Sequence, residues 1–123
     1  MNKRNVLIVE DSPEVAEIIK VAFRRTELEI HHEANALNAL TYLQSHKPDV
    51  IILDLGMPGM SGWEFLRNIR SQDHLSDIPV IILTAHTDHE NRKTGRLLRV
   101  SAYLQKPIDL TALRNAIDDA LYL

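Results

Sequence analysis

Val50-Ile51-Ile52-Leu53-Asp54 is the segment that decides the fold of this chain, because four apolar residues are followed directly by a carboxylate. A short, uninterrupted apolar run rich in β-branched residues is typical of a strand that is buried on both faces of a parallel sheet. Runs of the same character occur at residues 6–9 and 80–83. Pro48 and Pro79 precede two of the runs, and proline ends a preceding helix. The chain therefore predicts three buried parallel strands.

The segments between these runs carry apolar residues at the three- and four-residue spacing of helices. Weaker strand patterns at residues 28–33 and 102–105 complete the alternation, and we expect these two strands nearer the sheet edges. Five βα units in a row predict an α/β fold, a doubly wound parallel five-stranded sheet with helices on both faces. The predicted apolar stripes are Val15, Ile18, Ile19, Ala22 and Phe23, then Ala36, Leu37, Leu40 and Leu43, then Phe65, Leu66 and Ile69, then Leu97 and Leu98, and finally Leu110, Leu113, Ile117, Ala120 and Leu121.

The length of 123 residues predicts one domain over residues 1–123. A formal net charge of −3 provides no global basic field for a phosphate backbone, so we expect no direct nucleic-acid binding. The absence of cysteine excludes disulfides, thiolate catalysis and Cys-rich zinc sites. The first apolar run ends at Glu10 and is too short for a signal peptide or a membrane span. We therefore expect no membrane contact and a cytoplasmic location.

Polar residues follow the predicted strands at the edge where parallel α/β sheets bind their ligands. They are Glu10 and Asp11 after the first strand, Asp54 after the third, Thr84 after the fourth and Lys106 after the fifth. Three carboxylates in one place raise one another's pKa unless a cation lies among them. Mg²⁺ is commonly held by one or two carboxylates together with phosphate oxygens. The sequence thus predicts a magnesium site formed by the three carboxylates and a nearby backbone carbonyl, with the lysine binding an anion opposite.

A carboxylate next to a metal, a hydroxyl and a lysine is suited to accept a phosphoryl group. Catalysis of this transfer consists mainly of positioning the groups and neutralising their charge. We therefore predict that Asp54 is the nucleophile, that Thr84 donates a hydrogen bond to a phosphoryl oxygen and that Lys106 pairs with another.

Four segments of the chain, Glu10-Asp11 and residues 53–62, 83–85 and 103–107, resemble the receiver domain of bacterial response regulators, the CheY-like superfamily. The resemblance spans nearly the whole chain. It implies a flavodoxin-like sheet of strand order 2-1-3-4-5. It also implies an Mg²⁺-dependent aspartyl phosphate at Asp54, formed from a sensor histidine kinase or a histidine phosphotransfer protein. Slow self-catalysed hydrolysis is implied as well, so the domain is expected to signal and not to act as an enzyme.

The resemblance also assigns roles to individual residues. The Gly56 carbonyl is implied as a metal ligand. The residues implied to bind the phosphoryl group or to take part in the conformational switch are Thr84, Ala85, Lys106 and Tyr103. Gly56 and His86 are implied to tune the lifetime of the phosphorylated state. As the Thr84 hydroxyl moves toward the phosphoryl group, the Tyr103 ring swings inward and alters the face of the fourth helix, fifth strand and fifth helix. That face is expected to control a downstream protein or an output domain, and a phosphorylation-dependent homodimer is left open.

The chain departs from the common receiver pattern at several positions. Glu10 stands where the first acid is more often aspartate, which lengthens one arm of the metal site. Arg99-Val100 replaces the usual Gly-Ala before the fifth strand, so the end of the fourth helix is expected to differ in geometry. His31 and His32 are adjacent in a predicted strand and point to opposite faces, so they predict no shared metal site. Trp63 is expected to pack at a helix entry.

Two other functions remain open at the level of sequence. One is a pseudo-receiver, an interaction module that works without phosphate. The other is an aspartate-nucleophile phosphatase, which needs a second acid two residues after the nucleophile, where this chain has Gly56. A flavodoxin-like cofactor module is disfavoured because Glu10 and Asp11 occupy the place of a phosphate-binding loop. The sequence is compatible both with a stand-alone regulator and with a domain of a longer protein.

Overall fold

The computed structural model describes residues 3–122, which form five strands and five helices in strict alternation. The elements are β1 (Arg4–Val9), α1 (Pro13–Ala22), β2 (Leu28–Glu33), α2 (Ala36–Tyr42), β3 (Val50–Leu53), α3 (Gly62–Arg70), β4 (Val80–Thr84), α4 (His89–Leu97), β5 (Ala102–Gln105) and α5 (Leu110–Tyr122). Residues 1, 2 and 123, which the predicted domain also includes, lie outside the described residues. Within residues 3–122, no helix is long and apolar enough to cross a membrane.

The five strands form one parallel sheet of order β2-β1-β3-β4-β5. The predicted flavodoxin-like order is confirmed, and the two weaker strands are the edge strands, as expected. The chain passes from β1 outward to β2 and then back across β1 to β3, so the strand order reverses beside the carboxyl ends of β1 and β3. A crevice at this reversal is the usual ligand site of an open α/β sheet.

Successive residues of each inner strand pack into two different cores, because side chains alternate across a strand. Leu7 and Val9 belong to the core beneath α2 and α3, whereas Val6 and Ile8 belong to the core beneath α1 and α5. Both faces of β1 are therefore apolar, which explains its continuous apolar sequence.

Five residues of the predicted apolar stripes lie outside these cores, namely Ala22, which is small and exposed, and four larger side chains. Their exposed fractions are 45% for Ile18, 63% for Leu37, 72% for Leu97 and 37% for Leu110. Each lies at the border of its helix's apolar stripe, where the helix surface turns from the sheet toward solvent. The expectation that these five side chains are core residues is wrong.

Polar side chains cap the starts of three helices at the functional edge of the sheet. The Ser12 hydroxyl accepts the Val15 N–H at 3.3 Å, with Pro13 in the first turn, where the missing N–H of proline costs nothing. The Ser61 hydroxyl and the Asp88 carboxylate cap α3 and α4 in the same way. These caps define where the chain leaves the sheet edge that carries the polar residues.

The end of α4 closes with Arg99 in the left-handed conformation, at φ 61°. The Val100 N–H donates to the Gly95 carbonyl at 3.0 Å, and the Arg99 N–H donates to the Arg96 carbonyl at 3.2 Å. These two bonds form a Schellman motif, whose left-handed position is normally glycine. The helix end therefore has the geometry of a glycine C-cap although Arg99 occupies it, and the expected difference at this position lies in backbone strain.

Arg99→Gly is expected to stabilise the protein by about 0.5–1 kcal/mol. A side chain in the left-handed conformation costs roughly 1–2 kcal/mol, and the greater freedom of glycine in the unfolded chain offsets part of this gain. Urea unfolding measures the change. Arg96→Gly is the matched control, because the same substitution inside α4 should destabilise the protein by about 1 kcal/mol. Equal losses of stability in both variants would contradict the assignment of strain to Arg99.

Candidate functional site

Three carboxylates meet at the carboxyl ends of β1 and β3. Val9 is paired with Leu53 in the register of these neighbouring strands, and the Asp54 N–H donates to the Val9 carbonyl at 3.0 Å. The residues that follow, Glu10 and Asp54, therefore emerge side by side. One carboxylate oxygen from each of Glu10, Asp11 and Asp54 lies within 4.8 Å of the others. Glu10 and Asp54 are buried, and Asp11 is exposed.

Lys106 enters this cluster from the end of β5. Its Nζ lies 2.7 Å from Glu10 Oε1 and 3.2 Å from Asp54 Oδ2. The lysine thus bridges two buried carboxylates, whereas the sequence had assigned Glu10 to the metal side and Lys106 to the opposite, anion-binding side. The longer side chain of Glu10 brings its carboxylate to Lys106. The same carboxylate therefore pairs with the lysine and belongs to the acidic cluster.

The two buried acids have pKa values shifted in opposite directions. Burial raises the pKa of Asp54, but the hydrogen bond from the Gly56 N–H, the charge of Lys106 and the Thr84 hydroxyl outweigh it, so the pKa is lowered overall. Burial raises the pKa of Glu10, and here the Lys106 ammonium and the Ser12 N–H do not fully offset it. Asp54 is therefore held as an anion, which is the form that a nucleophile requires.

The ammonium of Lys106 is stabilised by its two partners. Burial alone would lower the pKa of Lys106, but the hydrogen bond and charge of Glu10, together with the charge of Asp54, raise it above its ordinary value. Lys106 is therefore a permanent cation in the cluster at neutral pH.

A line of hydrogen bonds runs from the site to the surface. The Thr84 hydroxyl, which is fully buried, accepts the His86 N–H at 3.1 Å. The His86 carbonyl in turn accepts the Tyr103 hydroxyl, and the Arg92 guanidinium lies 5.1 Å from the centre of the Tyr103 ring. The structure thus connects Thr84 to Tyr103 through the backbone of one residue, with the Tyr103 ring half-buried against the core.

The space above Gly56 is occupied by His86. A Cβ atom added to Gly56 would lie 2.9 Å from His86 Nε2 and 3.2 Å from His86 Cδ2. Gly56, Ala85 and His86 are all exposed at the rim of the site. The imidazole can lie this close to the backbone of residue 56 because Gly56 lacks a side chain.

Trp63 and Asn91 are two site-adjacent residues whose pairing the sequence did not reveal. The Trp63 indole N–H donates to Asn91 Oδ1 at 2.7 Å, which joins α3 to α4. The Asn91 amide also donates to Asp88 Oδ1 at 2.6 Å, at the start of α4. Trp63 packs against the core as expected, but its polar edge is in addition a tether for α4.

The residues present fit a hard divalent cation. All three donors of the cluster are carboxylate oxygens, which are the ligands that Mg²⁺ prefers. The exposed Asp11 carboxylate faces solvent, from which an ion arrives, and the lowered pKa of Asp54 supplies a second anionic ligand. The acidic cluster could therefore bind a metal ion, although Glu10 must divide its carboxylate between that ion and Lys106.

Comparison with known proteins agrees with this geometry. The model of the response regulator receiver domain family matches residues 6–118. The chain belongs to this family. It is a receiver domain of two-component signalling, and the members of this family are broadly signalling domains.

The similarity to individual proteins extends over most of the chain. Sporulation initiation phosphotransferase F of Bacillus subtilis is 29% identical over 123 residues, which cover 100% of this chain and 98% of the relative. The structure of the chemotaxis response regulator CheY4 of Vibrio cholerae has a TM-score of 0.89 at 28% identity, covering 98% of this chain and 100% of the other. The manganese-bound form of response regulator Rcp1 has a TM-score of 0.81 at 27% identity, covering 94% and 90%. The chain spans about half the length of the first curated relatives it matches.

Lys106→Ala is expected to reduce the free energy of unfolding by about 3 kcal/mol at pH 7, because it leaves two buried carboxylates without their cation. Lys106 keeps the pKa of Asp54 low, and a lowered pKa favours folding above the unfolded pKa and is lost as the pH falls. The difference between the variant and the parent should therefore shrink in acid. Urea unfolding at pH 4 and pH 7, with and without Mg²⁺, measures it.

Lys47→Ala is the matched control for this substitution. Lys47 pairs with Asp77 at 3.6 Å on the surface, where an ion pair contributes less than about 0.5 kcal/mol. Added Mg²⁺ should stabilise Lys106→Ala more than it stabilises the parent or Lys47→Ala, because only in Lys106→Ala does the ion replace a missing cation. Equal losses in the two variants would show that the buried cluster does not need its lysine.

Proposed function

We propose that Asp54 of this receiver domain accepts a phosphoryl group from a sensor histidine kinase or a histidine phosphotransfer protein, in a reaction that requires Mg²⁺. The observation that carries the proposal is the position of Asp54: a buried carboxylate with a lowered pKa, 3.2 Å from Lys106 and beside two further acids. Phosphoryl transfer needs a positioned nucleophile and charge neutralisation, and both are supported here.

The transfer assigns a task to each side chain. An Asp54 carboxylate oxygen attacks the phosphorus atom of a phosphohistidine, the P–O bond forms and the P–N bond breaks, and the imidazole nitrogen keeps the electron pair. Lys106 pairs with one phosphoryl oxygen, and the Thr84 hydroxyl donates to another. Glu10, Asp11, Asp54 and the Gly56 carbonyl would hold the Mg²⁺, which neutralises phosphoryl charge when it is bound. The related response regulator Rcp1 has a Mn²⁺-bound form, which supports the binding of a divalent ion by a protein of this fold.

Incubation with a small acyl-phosphate donor should add one phosphoryl group to the parent protein in the presence of Mg²⁺ and none without it. Asp54→Asn should remain unmodified, because the amide cannot attack phosphorus in place of the carboxylate. Intact mass, read before the acyl phosphate hydrolyses, measures the gain. Asp73→Asn, which changes an exposed aspartate between α3 and β4, is the matched control and should be modified like the parent.

Three results would overturn the assignment. Modification of Asp54→Asn at the parent rate would place the phosphoryl group on another residue. A folded parent that binds Mg²⁺ but is never modified would instead favour a pseudo-receiver that acts without phosphate. Steady release of inorganic phosphate from many donor molecules, at a rate beyond slow hydrolysis, would favour the phosphatase.

The proposed conformational switch uses the hydrogen bonds that connect Thr84 to Tyr103 through the backbone of His86. Once the Thr84 hydroxyl turns to the phosphoryl group, it no longer holds the His86 N–H, and the backbone of residue 86 is free to move. Movement of the His86 carbonyl changes its hydrogen bond with the Tyr103 hydroxyl, and the ring can then change its position against the core. This rearrangement shifts the populations of the conformations of the surface formed by α4, β5 and α5. The shift thereby controls a protein partner that binds this surface.

The emission of Trp63 should change on phosphorylation of the parent, because its indole is bonded to Asn91 on α4. In Thr84→Val the side chain keeps its shape but loses the hydroxyl, so we expect phosphoryl uptake without the change in emission. Fluorescence and intact mass on the same samples measure both. Trp63 is the only tryptophan in the sequence, so the signal has one source.

Asn91→Ala is the control for the tether in this experiment. It should alter the emission of the unmodified protein, because the indole N–H loses its acceptor, and it should leave phosphoryl uptake unchanged. A full emission change in phosphorylated Thr84→Val would contradict the proposed route through the hydroxyl.

The rim residues complete the proposal. Ala85, which follows Thr84, offers its backbone N–H as a further donor to the phosphoryl group. His86 over the bare Gly56 restricts the path of a water molecule to Asp54, so this pair tunes the phosphate lifetime. Hydrolysis is then slow and self-catalysed, and it resets the switch.

The partners are proposed on the same basis. The first curated relatives are about twice as long as this chain, which supports control of an output domain or of a separate downstream protein. A second, phosphorylated copy of the chain is a further candidate for the α4-β5-α5 face. We propose that residues 1–123 act as one domain in the cytoplasm, without direct nucleic-acid binding, in keeping with the net charge of −3 and the absence of cysteine.

A further inference from the structure

His32 contacts the backbone of the acidic site from the neighbouring edge strand. It lies in β2, in register with Ile8 of β1, and its Nε2 is 2.7 Å from the backbone oxygen of Glu10. The side chain is half-buried, and the contact joins residues 22 positions apart in the sequence. A carbonyl oxygen can only accept a hydrogen bond, so His32 Nε2 must carry the proton.

The end of the β1–β2 ladder explains why a side chain is needed here. The Glu10 N–H donates to the Glu33 carbonyl at 3.1 Å, which is the last step of the ladder. The Glu10 carbonyl points to the same side of the strand, but β2 ends at Glu33 and the chain turns toward α2. His32 supplies from its side chain the donor that the next residue of a longer strand would have supplied.

The bond sets the orientation of the peptide between Glu10 and Asp11. A peptide unit is planar, so holding the Glu10 carbonyl also holds the direction of the Asp11 N–H and Cα. The Glu10 carboxylate is anchored by Lys106 at 2.7 Å and by the Ser12 N–H at 3.1 Å. Asp11 is exposed, so its direction depends on the backbone that carries it.

We propose that His32 is a positioning residue for the divalent-cation site, which it serves by holding the Glu10–Asp11 peptide so that the Asp11 carboxylate faces Asp54. The proposal rests on the metal-dependent function proposed above and adds to it a residue outside the ring of ligands. Groups that orient ligands typically change metal affinity 10- to 100-fold when they are removed.

The first test compares Mg²⁺ affinity among three variants by calorimetric titration of the folded chain. His32→Ala removes the donor and should weaken Mg²⁺ binding about 10-fold. His32→Gln places an amide N–H near the same point and should stay within about twofold of the parent. His31→Ala is the matched control, because the neighbouring side chain points to the other face of β2 and stacks on Tyr42 at 4.0 Å. It should bind Mg²⁺ like the parent.

The second readout separates positioning from general damage. The rate of modification by a small acyl phosphate should fall in His32→Ala at low Mg²⁺ and return to the parent rate when Mg²⁺ is saturating. A rate that stays low at saturating Mg²⁺ would assign His32 to the stability of the edge strand and would overturn the proposal. Parent-like Mg²⁺ affinity in His32→Ala would overturn it as well.

The third measurement uses the parent alone and does not depend on whether a variant folds. The ring nitrogens of His32, observed by ¹H–¹⁵N correlation at pH 8, should show the tautomer protonated at Nε2. A tautomer protonated at Nδ1 would overturn the proposal. If the parent binds Mg²⁺ but is never phosphorylated, the phosphotransfer function fails while the Mg²⁺ titrations still decide the role of His32. A parent that binds no Mg²⁺ would overturn both.

Discussion

The bridge from Lys106 to Glu10 and Asp54 is the interaction on which this site depends. Two carboxylates are buried at the end of the sheet, where each would be costly without a counter-charge and where they repel each other. One ammonium at 2.7 and 3.2 Å compensates both, and it keeps the pKa of Asp54 low while that of Glu10 stays raised. The same cation is the natural partner for a phosphoryl oxygen. Arrival of that group must therefore redistribute the charges on which the resting cluster relies.

The proposed switch depends on Thr84, whose single hydroxyl lies between Asp54 and the backbone of His86. In the resting structure that hydroxyl accepts the His86 N–H, and the same residue holds Tyr103 through its carbonyl. In the proposed switch, the hydroxyl donates its hydrogen to a phosphoryl oxygen, and the rotation that this requires moves its oxygen relative to the His86 N–H. The hydrogen bond from Trp63 to Asn91 joins α3 to α4 and would resist movement of α4 in that switch.

Much of the fold could be predicted from local patterns. Three buried apolar runs and two prolines predicted the inner strands, because each of these signals acts within a few residues. The burial of individual helix residues was less predictable. Ile18 and Leu37 have the spacing of core residues but lie at the edge of the contact with the sheet, and spacing alone does not show how wide that contact is.

The sequence by itself determined the α/β class, the positions of the strands and the set of polar residues at their carboxyl ends. These follow from hydrophobic periodicity and from the direction of parallel strands, which are properties of short segments. Only the tertiary structure decided that Glu10 pairs with Lys106, that His32 holds the Glu10 carbonyl and that Trp63 is bonded to Asn91. Each of these contacts joins distant residues across strands or helices. Whether such side chains meet depends on strand register, side-chain length and the points where strands end, and the composition of either segment does not contain this information.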